Sequence, residues 1–287
     1  MIKKTLKVAI CFTLLICTQL QAQQKTKIIL FGGQSNTRGK GDFSKLTVED
    51  KALLKDTQEK VTLALYENKE KTIAPLHAFK ASARDTKKYG PEWFFGPELF
   101  IGMNFHKQYP NQEFLFIKHA VGGTSLHADW NVDTKADIPK SKNNGLYYKW
   151  IAYINEVLGD LDMDKYEIVG MFWIQGESDN PGMKPNSPKA EYSKNYKHNF
   201  TNLVNKVRTD LDLPTLPFYA LQIGKLPFKE VAKELDNLYI LQHNGKKGTG
   251  KYIYPMYPQS HYNYEGMSKI GTNFAELYIE TSGSLIE

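Results

Sequence analysis

Short apolar runs alternate along the chain with longer stretches whose apolar residues recur at helical spacing. The runs at 27–31, 61–66, 113–118, 167–173, 217–223 and 252–254 predict strands, most of them bounded by Gly, Pro or polar clusters. The segments 97–108, 146–158, 190–211, 230–242 and 266–280 predict helices; the first opens with Pro97 and Glu98, a favourable first-turn composition. Strands alternating with helices predict an α/β three-layer sandwich, a central, mostly parallel sheet covered on both faces. The segments 80–95, 128–144 and 180–189 read as loops at the carboxyl ends of the strands, where ligands bind in such sheets.

The first residues change that picture. Lys3, Lys4 and Lys7 precede an apolar stretch from Val8 to Cys17, and Leu20-Gln21-Ala22 forms a cleavage-like site. This predicts a signal peptide over 1–22, a single domain over 23–287, and a secreted or periplasmic protein. A lipid anchor at Cys17 is a disfavoured alternative, since Ile16 is not small. Both cysteines, Cys11 and Cys17, fall inside that segment, so thiol and disulfide chemistry are not expected beyond it. Removing its three lysines leaves 34 Lys and Arg against 31 Asp and Glu, a net charge of about +3. So mild an excess argues against nucleic acid or an anionic membrane as partner.

The chemistry concentrates at three strand ends. Ile28-Ile29-Leu30-Phe31 runs into Gly32-Gly33-Gln34-Ser35-Asn36, which lifts a hydroxyl out of a sheet edge. A second run ends at Ala120-Val121-Gly122-Gly123-Thr124-Ser125, and a third at Trp173-Ile174-Gln175-Gly176-Glu177-Ser178-Asp179. A late His261 stands just before a helical segment. Acyl transfer needs a nucleophile, oxyanion donors and a base on a separate loop, and these segments supply them. Of the other six histidines, His77, His106, His198 and His243 fit packed or solvated roles, while His119 and His127 flank the Gly122-Gly123 turn.

Taken in order, these four motifs resemble the sialate O-acetylesterase-like branch of the SGNH hydrolases, which have a flavodoxin-like sandwich. They are also similar to carbohydrate esterase family 6, the acetylxylan esterases. The resemblance runs from about Lys27 to Ala275. It implies Ser35 as nucleophile and His261 as base, with an oxyanion hole from the backbone N–H groups of Ser35 and Gly123 and the side-chain amide of Gln175. Gln34, Asn36 and Trp130 are the candidate substrate contacts, the first two also able to brace the nucleophile loop. The chain departs from the family where an Asp is expected three residues before the base: Pro258 stands there. Glu177 is the preferred replacement to orient His261, Asp179 the second, and a Ser-His dyad held by a backbone carbonyl the third.

The expected activity is a secreted carbohydrate O-acetylesterase acting through an acyl-enzyme on acetylated xylan, sialic acid or a similar glycan. A non-catalytic glycan-binding relative and an SGNH lipase or thioesterase are the alternatives. No cofactor is expected, and no metal site, since no His pair with an acid at helical spacing and no Asp-rich calcium loop occurs.

Overall fold

The computed structural model describes residues 24–133, 141, 143–184, 186–245, 249–258 and 261–282. The predicted signal segment 1–22 and the pair Gln259-Ser260 lie outside the described residues. In chain order the strands are β1 (Thr26–Gly33), β2 (Gly41–Asp42), β3 (Val61–Glu67), β4 (Glu70–Pro75), β5 (Phe79–Lys80), β6 (Trp93–Phe95), β7 (Phe114–Ala120), β8 (Tyr166–Ile174), β9 (Phe218–Leu221) and β10 (Leu238–Leu241). The helices are α1 (Ser35–Arg38), α2 (Val48–Thr57), α3 (Ala83–Tyr89), α4 (Pro97–Gln108), α5 (Leu146–Gly159), α6 (Ala190–Lys194), α7 (Tyr196–Asp210), α8 (Phe228–Ala232) and α9 (Tyr264–Ser282).

Buried apolar strands need cover on both faces, and that requirement sets the layers. The main sheet has the order β10-β9-β8-β1-β7-β3-β4 and is parallel except for the β3–β4 hairpin at one edge. On one face Phe31, Phe116, Phe172 and Tyr219 form a continuous aromatic layer with Phe105 of α4 and with Phe274 and Tyr278 of α9. On the other face Trp173 meets Trp130, which in turn packs on Trp150 of α5, and Phe218 meets Phe200 of α7. A small antiparallel sheet, β2-β6-β5, sits beyond the end of β1.

Four expectations change. Residues 230–242 are not one helix: α8 stops at Ala232 and β10 pairs in register with β9, burying Leu238 and Leu241. Residues 252–254 form no strand; Tyr254 is buried and donates to the Gln242 carbonyl at 3.1 Å. The 190–211 helix is interrupted at Asn195. The 80–95 segment is no plain loop, because Ser82 caps α3 by accepting the Asp85 N–H and Gly90 ends it at φ +99°. β4 left no apolar signature because its face is largely exposed, and its turn uses Asn68 and Lys69 at positive φ in place of the usual Asn-Gly.

The helix that follows His261 is fixed by close approach. Asn263 Oδ1 accepts the Gly266 N–H at 3.0 Å, capping α9. A methyl group at Gly271 would stand 2.6 Å from the Pro97 carbonyl and 2.7 Å from Phe100 Cβ, so α9 rests on α4 at this glycine. Gly271→Ala is therefore expected to push the two helices apart and destabilise the protein by about 1–3 kcal/mol. Urea unfolding should show a lower midpoint with an unchanged m-value; an unchanged midpoint would refute this account of the α4–α9 contact.

Candidate active site

Gly33 sits at φ +132°, and a Cβ there would lie 2.4 Å from both the Ile174 carbonyl and Thr37 Oγ1. Only glycine fits. The chain therefore turns sharply between β1 and β8, with Gln34 N–H donating to the Ile174 carbonyl at 3.0 Å and Thr37 Oγ1 accepting the Ile174 N–H at 3.1 Å. Ser35 emerges as the first residue of α1, above the carboxyl end of the sheet. The second strand-end turn crosses it: a Cβ on Gly122 would be 3.5 Å from Ser35 Cβ, and Gly123 next to it holds φ +75°. Among the described residues, neither the Ser35 N–H nor the Gly123 N–H finds an acceptor within the protein.

His261 arrives from the loop before α9. That loop is closed by Tyr257 N–H donating to the His261 carbonyl at 2.7 Å and by a bridge between Met256 and Tyr262. Its Nε2 stands 2.9 Å from Ser35 Oγ, and its Nδ1 stands 2.8 Å from the Tyr89 hydroxyl. Ser35 and His261, more than two hundred residues apart in the chain, are thus in direct hydrogen-bond contact.

Three of the remaining site expectations are corrected. Glu177 does not meet His261; its Oε1 accepts from Asn36 Nδ2 at 2.5 Å, while Oε2 is enclosed with no hydrogen-bond partner among the described residues. Burial pushes its carboxyl above the usual range, against the pull of the Asn36 bond. Asn36 in turn accepts from Tyr262 N–H at 3.4 Å, so this pair ties α1 to the histidine loop. Gln175 does not offer its amide to the cleft. It is 0% exposed, and Nε2 is shared among Asp179 Oδ2 at 2.7 Å, the Thr124 carbonyl at 3.2 Å and Gln34 Oε1 at 3.3 Å. The physical reason is Asp179, a buried carboxyl that also takes the Leu126 and His127 N–H groups at 2.9 and 3.1 Å. A buried acid needs such donors, and burial still raises Asp179 to about 6. Trp130 turns inward. It is 0% exposed, lies edge-on to Trp173, and pins its own loop by donating Nε1–H to Thr124 Oγ1 at 2.9 Å.

Gln34 and Asn36 do line the cleft beside Ser35. Gln34 Oε1 also accepts the Ser178 N–H at 3.3 Å, so its carbonyl end braces the β8 turn. His119 reaches the cleft wall, stacked on Tyr66 with Nδ1 against the Tyr66 carbonyl, and burial pushes its pKa down against the pull of that hydrogen bond. His127 packs instead on Tyr192, away from the nucleophile.

The cleft has a volume of about 940 Å³, and its walls are strongly cationic. Arg38 bridges Glu67 at 2.6 Å and Asp85 at 2.8 Å, and Lys40 joins Asp85 at 2.6 Å. Burial, with Arg38 nearby, lowers Lys40 to about 8. Burial would raise Asp85, but hydrogen bonds from Lys40 and Arg38 outweigh it and hold the acid at about 2. Lys69, Arg84, Lys88 and Lys149 line the same cleft, and none forms an ion pair among the described residues. Sequence reasoning missed these four and Tyr89. The only trace of α3 was Ser82 three residues before Asp85, a helix-capping spacing followed by Gly90. Among the described residues no group of His, Cys, Asp or Glu could hold a metal, and no helix is long and apolar enough to cross a membrane.

A family model for "Carbohydrate esterase, sialic acid-specific acetylesterase" matches residues 25–280. No curated protein matches the chain. Solved structures of similar architecture include an Arabidopsis thaliana protein, with TM-score 0.62 and 18% identity over 90% of this chain and 99% of that one. NanS aligns with TM-score 0.57 and 13% identity, covering 92% of this chain and 98% of its own. A carbohydrate acetylesterase from Xanthomonas citri gives TM-score 0.54 and 13% identity over 89% of this chain and 56% of that one. These identities establish a shared fold, while the family match extends across nearly the whole sequence. The chain belongs to the carbohydrate esterase, sialic acid-specific acetylesterase family.

Proposed function

We propose that the protein is a secreted serine O-acetylesterase acting on an acetylated, negatively charged sugar. The observation that carries the serine mechanism is the 2.9 Å contact between Ser35 Oγ and His261 Nε2 at the foot of the cleft. As Ser35 Oγ attacks the acetyl carbonyl carbon, Nε2 takes the hydroxyl proton. The carbonyl oxygen becomes an oxyanion facing the Ser35 and Gly123 N–H groups, a two-donor hole in place of the three donors expected from sequence. Collapse breaks the ester bond, His261 returns the proton to the sugar oxygen, and the acetyl group remains on Ser35. Water then attacks that ester with His261 again as base, releasing acetate and restoring the serine. Secretion rests on the basic and apolar start of the chain.

The charge of the substrate follows from the cleft. Arg38 and Lys40 are neutralised by Glu67 and Asp85, whereas Lys69, Arg84, Lys88 and Lys149 leave a positive field along the walls. An anionic sugar gains from that field and a long-chain acyl ester does not, which disfavours the lipase alternative. The sialic acid in the family's description is a sugar of the charge this cleft favours.

Two outcomes are expected. Ser35→Ala should cut acetate release by at least about a thousandfold with the urea midpoint unchanged, because the hydroxyl contributes chemistry more than packing. Near-normal turnover by that variant would remove Ser35 as nucleophile. In a panel of matched acetylated sugars, kcat/KM should favour acidic over neutral members, and the advantage should shrink between about 0.1 and 1 M salt as the Debye length falls from about 10 to about 3 Å. Equal rates for both classes at low salt would reject the anionic-substrate reading and leave the serine mechanism standing.

A further inference from the structure

We propose that Tyr89 is the positioning residue that orients His261, standing where a triad acid would stand. The inference rests on the Ser35–His261 reading above and adds a residue that no strand-end motif contains.

Geometry is the first support. The Tyr89 hydroxyl lies 2.8 Å from His261 Nδ1, and the two rings meet edge to face with centroids 5.5 Å apart. The phenol is not adrift: its ring packs on Tyr257 at 5.2 Å and on Phe94 at 6.3 Å. The position three residues before the base is Pro258, whose side chain can neither donate nor accept. Glu177, the nearest acid in the motif order, is bound to Asn36.

The second support is what holds the phenol there. Tyr89 is the last residue of α3, and Asp85 lies one turn earlier on the same helix. Asp85 is gripped by Arg38 at the end of α1 and by Lys40 just after it. The helix that bears the nucleophile and the helix that bears Tyr89 are therefore fastened together by charge. These partly buried ion pairs oppose a shift of Ser35 relative to Tyr89.

The chemistry requires one tautomer. To receive the Ser35 proton, Nε2 must be bare, so Nδ1 carries the hydrogen and donates it to the Tyr89 oxygen. When Nε2 gains its proton the ring becomes an imidazolium, and that Nδ1–H bond to Tyr89 becomes charge-assisted. The ring contacts Ser35 of α1 and Tyr89 of α3, while Arg38, Lys40, Asp85, Lys88 and Glu177 line the same cleft, with Tyr257 packed on the Tyr89 ring and Glu177 held by Asn36. Lys40 and Lys88 sit over the Tyr89 ring at 5.4 and 5.0 Å, so the imidazolium forms close to two cations. The Tyr89 hydroxyl accepts the Nδ1–H and so holds the ring in its productive tautomer.

The test uses the full chain and p-nitrophenyl acetate, with Tyr89→Phe and Ser35→Ala side by side. Tyr89→Phe is expected to lower kcat about 10–100-fold with KM nearly unchanged, the range for losing a hydrogen bond to a charged group. The acid limb of its kcat/KM profile should move to lower pH by about one unit, since the imidazolium loses a partner. In protein labelled with ¹⁵N-histidine, His261 should carry its proton on Nδ1 in the wild type and titrate at lower pH in Tyr89→Phe. A variant with wild-type kcat, pH profile and His261 titration would overturn the proposal, as would one that raises KM alone, which would make Tyr89 a substrate contact. Persistent turnover by Ser35→Ala would instead overturn the serine reading, and the His261 titration would still decide the role of Tyr89.

Discussion

Beneath the cleft, Lys118 of β7 and Glu98 of α4 form an ion pair at 2.6 Å with both side chains only 1% exposed. Burial pulls Lys118 down and Glu98 pulls it back up, so the pair is held by mutual need. Lys118 also donates to the Arg38 carbonyl at 2.9 Å, and Glu98 Oε1 accepts the Gly96 N–H at 3.1 Å. One charge pair thus joins the central sheet, the end of α1 and the start of α4. No side chain fits at Gly96, where a Cβ would fall 2.4 Å from Glu98 Oε2 and 2.6 Å from Lys118 Nζ. Removing one partner of such a pair leaves the other charge buried and alone, a cost of about 3–5 kcal/mol. The Arg38, Lys40, Glu67 and Asp85 contacts extend the same principle outward to α3.

A second buried carboxyl, Asp179, organises the opposite wall. It draws Leu126 N–H, His127 N–H and the Gln175 amide toward itself and so joins the β7 and β8 loops. The Gly122-Gly123 turn over Ser35 is positioned through that junction, because Thr124, next in sequence, is held by Trp130 and by the Gln175 amide. The proposed oxyanion donors are backbone groups whose placement depends on buried side chains behind them. Rigidity of this kind is what a preorganised electrostatic site requires.

The layered α/β architecture and the pairing of Ser35 with His261 were legible because both leave strong local marks. β1, β7 and β8 are continuous apolar runs, and Ser35 stands out because four motifs occur in order, a glycine pair before a hydroxyl being by itself an ordinary turn. What failed to show was direction. Gln175, Glu177 and Asp179 read as one polar strand-end cluster, and nothing in their order reveals that Gln175 and Asp179 are buried against each other while Glu177 is taken by Asn36. Trp130 follows a functional loop in sequence yet packs on Trp173, since a large ring fills space left by the fold before it waits for a ligand. β10 was read as helix because Leu238 and Leu241 fit either period, and only pairing with β9 decides between them. Tyr89 was invisible for a different reason: its partner lies 172 positions away, on a loop whose path no local pattern discloses.

The division of labour among the acids explains why the orienting group comes from elsewhere. Glu177 and Asp179 are the carboxylates nearest the nucleophile in motif order, and both have raised affinity for protons because burial outweighs their donors. Glu177 is engaged by Asn36, and Asp179 by two backbone N–H groups and the Gln175 amide, so neither is placed to swing toward the imidazole. Asp85 has the opposite character, held low by Lys40 and Arg38, but those same cations consume its charge. Each carboxylate around this nucleophile is therefore committed to holding two elements together. A hydroxyl carries no charge to neutralise and can accept from Nδ1 without drawing a lysine away from its partner. That is the physical opening that Tyr89 fills.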